Sequence, residues 1–133
     1  MGPTRETQAG EKPRVLVIED DDVMRDLLKL HLTSAGYEVL LAENGIAGGY
    51  VVLNSRPDLL LVDVDMPYMS GYELVAAVKA DPLTRHIPAV FLTSRDDVDE
   101  RCIQLGAAGY LRKPVKADRL LEMLARFILP GSI

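Results

Sequence analysis

Six residues carry the chemistry this chain can offer, and they share one kind of position. Apolar runs end abruptly in polar residues four times: "VLVI" (15–18) in "EDDD" (19–22), "LLLV" (59–62) in Asp63, "AVFL" (89–92) in "TS" (93–94), and "YL" (110–111) in "RKP" (112–114). Glu19, Asp20, Asp63, Thr93 and Lys113 are thereby offered together, and Asp65 follows Asp63 at a spacing of two before Pro67 stops the chain. Carboxylates such as Glu19, Asp20 and Asp63 held about 5 Å apart would repel by roughly 3 kcal/mol per pair at an effective dielectric near 20. A divalent cation relieves that repulsion. An all-oxygen donor set without His or Cys favours Mg2+, or Mn2+, over zinc.

The elements that must position these residues follow from periodicity. Five apolar runs, the four above and "YEVLLA" (37–42), alternate with longer segments of helical spacing, which predicts five strands and a helix after each. Asp21 or Asp22 caps a first helix with Met24, Leu27, Leu28 and Leu32 on one face and Gly36 as its stop. Ser70 and Glu73 form a capping box before Leu74 and Val78. Val98, Cys102 and Leu105, ended by Gly106, make a shorter stripe, and Leu120, Leu124 and Ile128 the last one. The adjacent Gly48 and Gly49, each costing about 1 kcal/mol relative to alanine, predict a second helix that is short or mobile. Strands alternating with helices imply right-handed crossovers and an α/β doubly wound parallel sheet covered on both faces. Ligands bind such sheets beyond the carboxyl ends of the strands, where the six residues lie.

Composition narrows the function. With 133 residues, 48% hydrophobic and 26% charged, the chain is sized for one core. A net charge of −5 gives no footprint for direct nucleic-acid binding. The single cysteine, Cys102, excludes a disulfide framework and fits a reducing, cytoplasmic setting. No apolar stretch approaches membrane-spanning length, and "MGPTRETQAGEK" reads as a flexible tail over residues 1–12 before a domain over 13–130. Taken singly, a strand-end Asp is a turn or cap residue, Lys113 a solvated lysine, Thr93 a turn former and Tyr110 core filling. His31, His86 and Cys102 read as helix or loop residues rather than ligands or bases.

The segments "VLVIEDDD", "PDLLLVDVDMPYMSGYEL", "IPAVFLTS" and "GAAGYLRKP" resemble the four signature blocks of bacterial two-component response regulator receiver domains, in order and spacing, over about residues 14–129. That resemblance implies a flavodoxin-like (CheY-like) sheet of order 2-1-3-4-5 and a phosphorelay switch rather than an enzyme. It makes Asp63 the phosphoryl acceptor. Glu19, Asp20 and Asp63, with the backbone carbonyl of Asp65, become the Mg2+ ligands, Thr93 the hydroxyl that turns to the phosphoryl group, Lys113 its ammonium partner, and Tyr110 the switch residue. It also implies a cis Lys113–Pro114 peptide. A sensor histidine kinase or histidine phosphotransfer protein would be the donor. A downstream effector protein, or an effector domain missing from this chain, would receive the signal. The chemistry agrees, because an aspartate attacking phosphorus needs its own charge and the transferring oxygens neutralised.

Two features depart from the family pattern. Lys113 comes 20 positions after Thr93, a shorter spacing by two, with the shortage in "SRDDVD" (94–99). "AAGY" (107–110) lacks the acidic residues that DNA-binding members use in a dimer interface, so that dimer is not expected. Asp65 and Arg95, two positions beyond Asp63 and Thr93, are expected to face each other with opposite charge across the mouth of the site. "LLLVDVD" also looks like the Asp-x-Asp motif of haloacid-dehalogenase-type phosphatases, the alternative reading. Against it stand the position of the motif after two β-α units, Pro67 where that family has Thr or Val, and too short a chain for its remaining motifs.

Overall fold

In the computed structural model, which describes residues 11–131, strands and helices alternate from the first strand to the last helix. They are β1 (Arg14–Ile18), α1 (Asp22–Ser34), β2 (Glu38–Ala42), α2 (Gly45–Ser55), β3 (Leu59–Asp63), α3 (Gly71–Ala80), β4 (Ala89–Thr93), α4 (Asp99–Leu105), β5 (Gly109–Arg112) and α5 (Ala117–Ala125). The tail expected over residues 1–12 lies outside the described residues except for Glu11 and Lys12.

All strands pair in parallel in the order β2-β1-β3-β4-β5, as the resemblance implied. The strand order reverses between β1 and β3, the place where a sheet of this kind opens a crevice. Register sets which residues face that crevice. Ile18 pairs with Val62 and Asp63 with Leu92, so the acidic residues after β1 stand level with the end of β3. Thr93 pairs with Arg112, which brings Lys113 to the same edge.

Alternation along each strand divides the core. Leu16, Ile18, Leu60, Val62 and Phe91 pack with Val52 of α2, Leu74 and Val78 of α3 and Cys102 of α4. Val15, Val17, Leu59, Leu61 and Leu92 pack with Leu28 and Leu32 of α1 and Leu120 and Leu124 of α5. Every residue of β3 is buried, as a central strand covered on both faces requires. The strands bearing the acceptor and the hydroxyl are therefore held along their whole length, and only their ends are free to do chemistry.

Helix starts follow local capping. Asp21, not Asp22, caps α1, its carboxylate accepting from the N–H of Val23 and Met24. Ser70 and Glu73 close the capping box on α3. Gly106, at φ +71°, ends α4 in the left-handed region that glycine tolerates. The last apolar stripe outruns its helix: α5 ends at Ala125, and Ile128 reaches the core from the turn beyond, where its carbonyl accepts from the buried Tyr37 hydroxyl at 2.9 Å.

The expectation of a short α2 is corrected. It runs 11 residues with an Asn44 cap, because one of its two glycines is needed for packing. A Cβ on Gly48 would stand 2.7 Å from Ile18 Cδ1, so the missing side chain lets α2 lie close against β1. Gly49 meets no such limit, its nearest prospective neighbour being Leu74 Cδ1 at 3.9 Å. The pair should therefore separate on mutation. Gly49→Ala is expected to raise stability by up to about 1 kcal/mol through helix propensity, whereas Gly48→Ala should lower it by about 1–3 kcal/mol through overpacking. Denaturant melts of the two variants check this, and equal shifts would contradict it.

Candidate functional site

The acidic cluster forms at the carboxyl ends of β1 and β3. Glu19 is fully buried, Asp63 is 4% exposed, and Asp20 reaches solvent. One carboxylate oxygen from each lies within 4.8 Å of the others. Local backbone explains the convergence. The Glu19 carboxylate accepts from the N–H of Asp21 at 3.2 Å, and the Arg25 guanidinium donates to the Glu19 carbonyl at 2.8 Å while pairing with Asp22. The turn between β1 and α1 is thus tied back onto its own strand end.

From β3 the chain turns sharply. Asp65 N–H donates to Asp63 Oδ1 at 3.3 Å, and Gly71 N–H donates to the Val64 carbonyl at 2.9 Å. Here a glycine is obligatory, since a Cβ on Gly71 would stand 2.3 Å from the Asp63 carbonyl oxygen. Between them Tyr68 holds φ +71°, an uncommon conformation for a non-glycine residue, and its side chain is 84% exposed.

Lys113 supplies the cation. Its Nζ lies 2.9 Å from Glu19 Oε1 and 3.3 Å from Asp63 Oδ2, and its backbone N–H donates to the Thr93 carbonyl at 2.8 Å. The contact with Glu19 is close but poorly aligned, so the buried Oε1 has an ionic neighbour and no well-formed hydrogen bond. The Lys113–Pro114 peptide is cis, as expected. Thr93 is buried, and its hydroxyl accepts from the N–H of Arg95 at 2.9 Å.

These surroundings set the charges. Burial, reinforced by the hydrogen bond and negative charge of Glu19, pushes the Asp63 carboxyl up to about 7, against the opposing pull of Lys113 and the Asp65 N–H. Burial disfavours the Lys113 charge, but Glu19 and Asp63 outweigh it and raise its pKa. Tyr110 on β5 is half-buried beside the first core cluster, and the neighbouring Asp99 carboxylate raises its pKa. Glu19, Asp20, Asp63, Asp65, Thr93 and Lys113 gather at this edge, while Tyr110 sits on β5 beside it. Cys102 is buried in the core.

The donor set fits a hard divalent cation. Three carboxylates converge, one carries a buried oxygen lacking an aligned donor, and another is held toward protonation by burial and by the neighbouring Glu19. Sequence reasoning missed Arg25, Gly71 and Tyr68. "DVMR" (22–25) contains an i, i+3 acid-base pair that could have flagged Arg25, but the other two depend on how closely the β3–α3 turn passes under its neighbours.

A family model described as response regulator receiver domain matches residues 15–125. The chain is 34% identical over 116 residues to the DNA-binding dual master transcriptional regulator RpaA of Synechocystis, covering 86% of this chain and 47% of that one. It is 31% identical to the polar-differentiation response regulator DivK of Brucella anthropi, covering 86% and 94%. It thus spans about half the length of RpaA and nearly all of DivK. Among solved structures, the chemotaxis protein CheY4 of Vibrio cholerae superposes with a TM-score of 0.83 at 31% identity, covering 88% of this chain and 99% of that one. The receiver domain of sensor histidine kinase PA1611 from Pseudomonas aeruginosa, with a magnesium ion coordinated in its active-site cleft, gives 0.80 at 30% identity, covering 87% and 97%. Among the described residues of this chain no helix is long and apolar enough to cross a membrane.

A pH dependence follows. The folded pKa of Asp63 lies above its unfolded value, so this carboxyl favours the fold below about pH 4 and that contribution is lost as pH rises through 7. The loss is about 2 kcal/mol once solvent screening is allowed for. Mg2+ competes with the proton and should restore it, so the rise in melting temperature on adding Mg2+ should be larger at pH 8 than at pH 5.5. Thermal melts at both values check this, and an equal or reversed effect would count against the cluster.

Proposed function

The chain belongs to the response regulator receiver domain family, and from that premise we propose that Asp63 accepts a phosphoryl group from a histidine-bearing donor and that the modified aspartate changes the face this domain shows a partner. One observation carries the assignment: Asp63 is the buried carboxylate at which Glu19, Asp20 and the Lys113 ammonium meet. A phosphatase of haloacid-dehalogenase type is set aside, because the family match spans the motif that suggested it.

In the transfer, an ionised Asp63 oxygen attacks phosphorus, the P–N bond to the donor imidazole breaks, and the electron pair leaves on that nitrogen, which takes up a proton. Positioning and charge do most of the catalysis in such a loose transfer. Lys113, held between Glu19 and Asp63, neutralises phosphoryl oxygens and keeps Asp63 available in its ionised form. Mg2+ bound by the carboxylates of Glu19, Asp20 and Asp63 and the Asp65 carbonyl would supply further neutralisation of the transferring oxygens. Thr93, whose hydroxyl oxygen accepts from the Arg95 N–H, has its own hydroxyl proton to turn to a phosphoryl oxygen, and Tyr110 on the adjoining strand is the switch residue that responds.

The donor is a sensor histidine kinase or a histidine phosphotransfer protein. The receiver of the signal is a separate effector protein or an effector domain, the latter in keeping with RpaA, about half of which this chain spans.

Incubation with Mg2+ and a small acyl phosphate should add one phosphoryl group by intact mass, and Asp63→Asn should add none. Asp20→Asn should fold, keep Asp63, and lose at least tenfold in loading rate at limiting Mg2+. Equal labelling of wild type and Asp63→Asn would defeat the assignment.

A further inference from the structure

The Asp65–Arg95 pair expected at the mouth is formed, with Arg95 Nη2 donating to Asp65 Oδ1 at 2.7 Å, and it belongs to the acceptor site. Away from that site α2 is the anomaly. Of the five helices among the described residues it alone has no charged side chain, and residues 44–55 are the longest uncharged run in the sequence. A helix that is apolar all round is normally buried on every side. Here one side is buried, with Gly48 against Ile18 of β1 and Val52 in the first core cluster, and the other faces outward.

The outward side carries Ile46, Gly49, Tyr50 and Leu53, positions i, i+3, i+4 and i+7 of one helical stripe. Ile46, Tyr50 and Leu53 are 51%, 66% and 52% exposed, so both ends of the stripe stand equally open. Beside this ridge a groove of about 340 Å3 runs between α2 and α3, with Gly45 and Gly49 on one wall and Leu74 and Ala77 on the other. Glycine at position 49 weakens the helix and relieves no contact within the chain, since a Cβ there would meet only Leu74 Cδ1, at 3.9 Å. What it provides is open space at the middle of the exposed stripe.

The stripe is symmetric about the point between Gly49 and Tyr50. With a second α2 laid across it antiparallel, Tyr50 of each copy falls opposite the partner's Gly49, and Ile46 opposite the partner's Leu53. Large side chains thus meet the space that glycine leaves, and the two backbones can approach closely at the crossing. Just beyond the helix ends the same symmetry sets Glu43 opposite the partner's Arg56, so opposite charges close both rims. The groove has room for an aromatic ring, and Asp81 on its lining offers the tyrosine hydroxyl an acceptor.

We propose that the outer face of α2 is a homodimer interface, on which a second copy of this chain packs its own α2 antiparallel and seats Tyr50 in the glycine-walled groove. A two-fold contact must be complementary to itself, and a ridge and a groove side by side with complementary rims meet that condition. Copies of net charge −5 repel one another, least of all across a face without charge. An exposed apolar patch of this kind runs to roughly 300–600 Å2. Two of them pressed together bury about 1,000 Å2, the low end for a specific interface, so the dimer is weak and reversible. α2 lies over β1 and β2, at the opposite side of the sheet from β5, so pairing leaves Tyr110 uncovered. Antiparallel helices also direct the two acceptor edges to opposite ends of the dimer. The pairing is independent of phosphorylation and does not rest on Asp63 being the acceptor.

Sedimentation equilibrium should show a monomer–dimer equilibrium with a dissociation constant on the order of 10 µM. It should be the same for wild type, for Asp63→Asn and after exposure to acetyl phosphate. Tyr50→Arg should weaken it by at least about thirtyfold, and Gly49→Ala by about three- to tenfold through crowding at the crossing. Both variants should take label from acetyl phosphate as wild type does, which shows them folded. Cross-linking reads the register. Ile46→Cys and Leu53→Cys, mixed and oxidised with diamide, should give a covalent dimer, whereas either alone should give little more than wild type, because only the mixture brings two thiols within bonding distance. A wild type that stays monomeric, a dimer that forms only after phosphorylation, or an undiminished dimer in Tyr50→Arg or Gly49→Ala would overturn the interface. So would a mixture that cross-links no better than either variant alone, and none of these results bears on Asp63.

Discussion

Carboxylate crowding at one sheet edge is the constraint on which the site depends. Glu19 and Asp63 are buried and lie, with Asp20, within a few ångströms of one another, an arrangement that works against folding unless positive charge is brought in. Lys113 provides part of it from the far end of the chain, and its reach depends on β5 lying beside β4. The cation-binding property and the cost to stability are therefore one fact. A better neutralised site would hold its fold more firmly and bind a divalent cation less well.

The scaffold tolerates this because its cost is confined to the strand ends. β1, β3 and β4 are buried among two apolar clusters, one on each face. Fully burying each large aliphatic side chain is worth about 1.5–3 kcal/mol, so several such residues offset the repulsion. Rigidity in the strands also fixes the distances beyond them. The loops that carry Asp65 and Arg95 are tied back by backbone N–H bonds to the Asp63 carboxylate and the Thr93 hydroxyl, which couples their placement to those two residues.

Much of this was legible in the sequence, for identifiable reasons. An unbroken run such as "LLLV" can only be a doubly covered strand or a buried helix segment, and its length and flanking residues decide the matter. The polar residues that end each run then mark the working edge without further information. Strand order and the cis peptide came from resemblance, since neither is written in periodicity. What could not be read were tertiary approaches. Gly48 looks like a helix breaker until Ile18 is seen pressing on it, and Gly71 looks like a helix starter until the Asp63 carbonyl is found beneath it. Asp21 and Asp22 are equivalent as caps in sequence, and only the backbone angles of Asp21 choose between them.

Asp63 is a buried carboxylate crowded by a second one, and the ionisation of its carboxyl reports that burial and crowding together. Carbon NMR of a carboxyl-labelled protein without divalent cations should show Asp63 titrating near 7, well above an ordinary aspartate. Replacing Lys113 with methionine should move that titration higher still, and Mg2+ in the wild type should move it down. Titration near 4, unmoved by either change, would contradict the account.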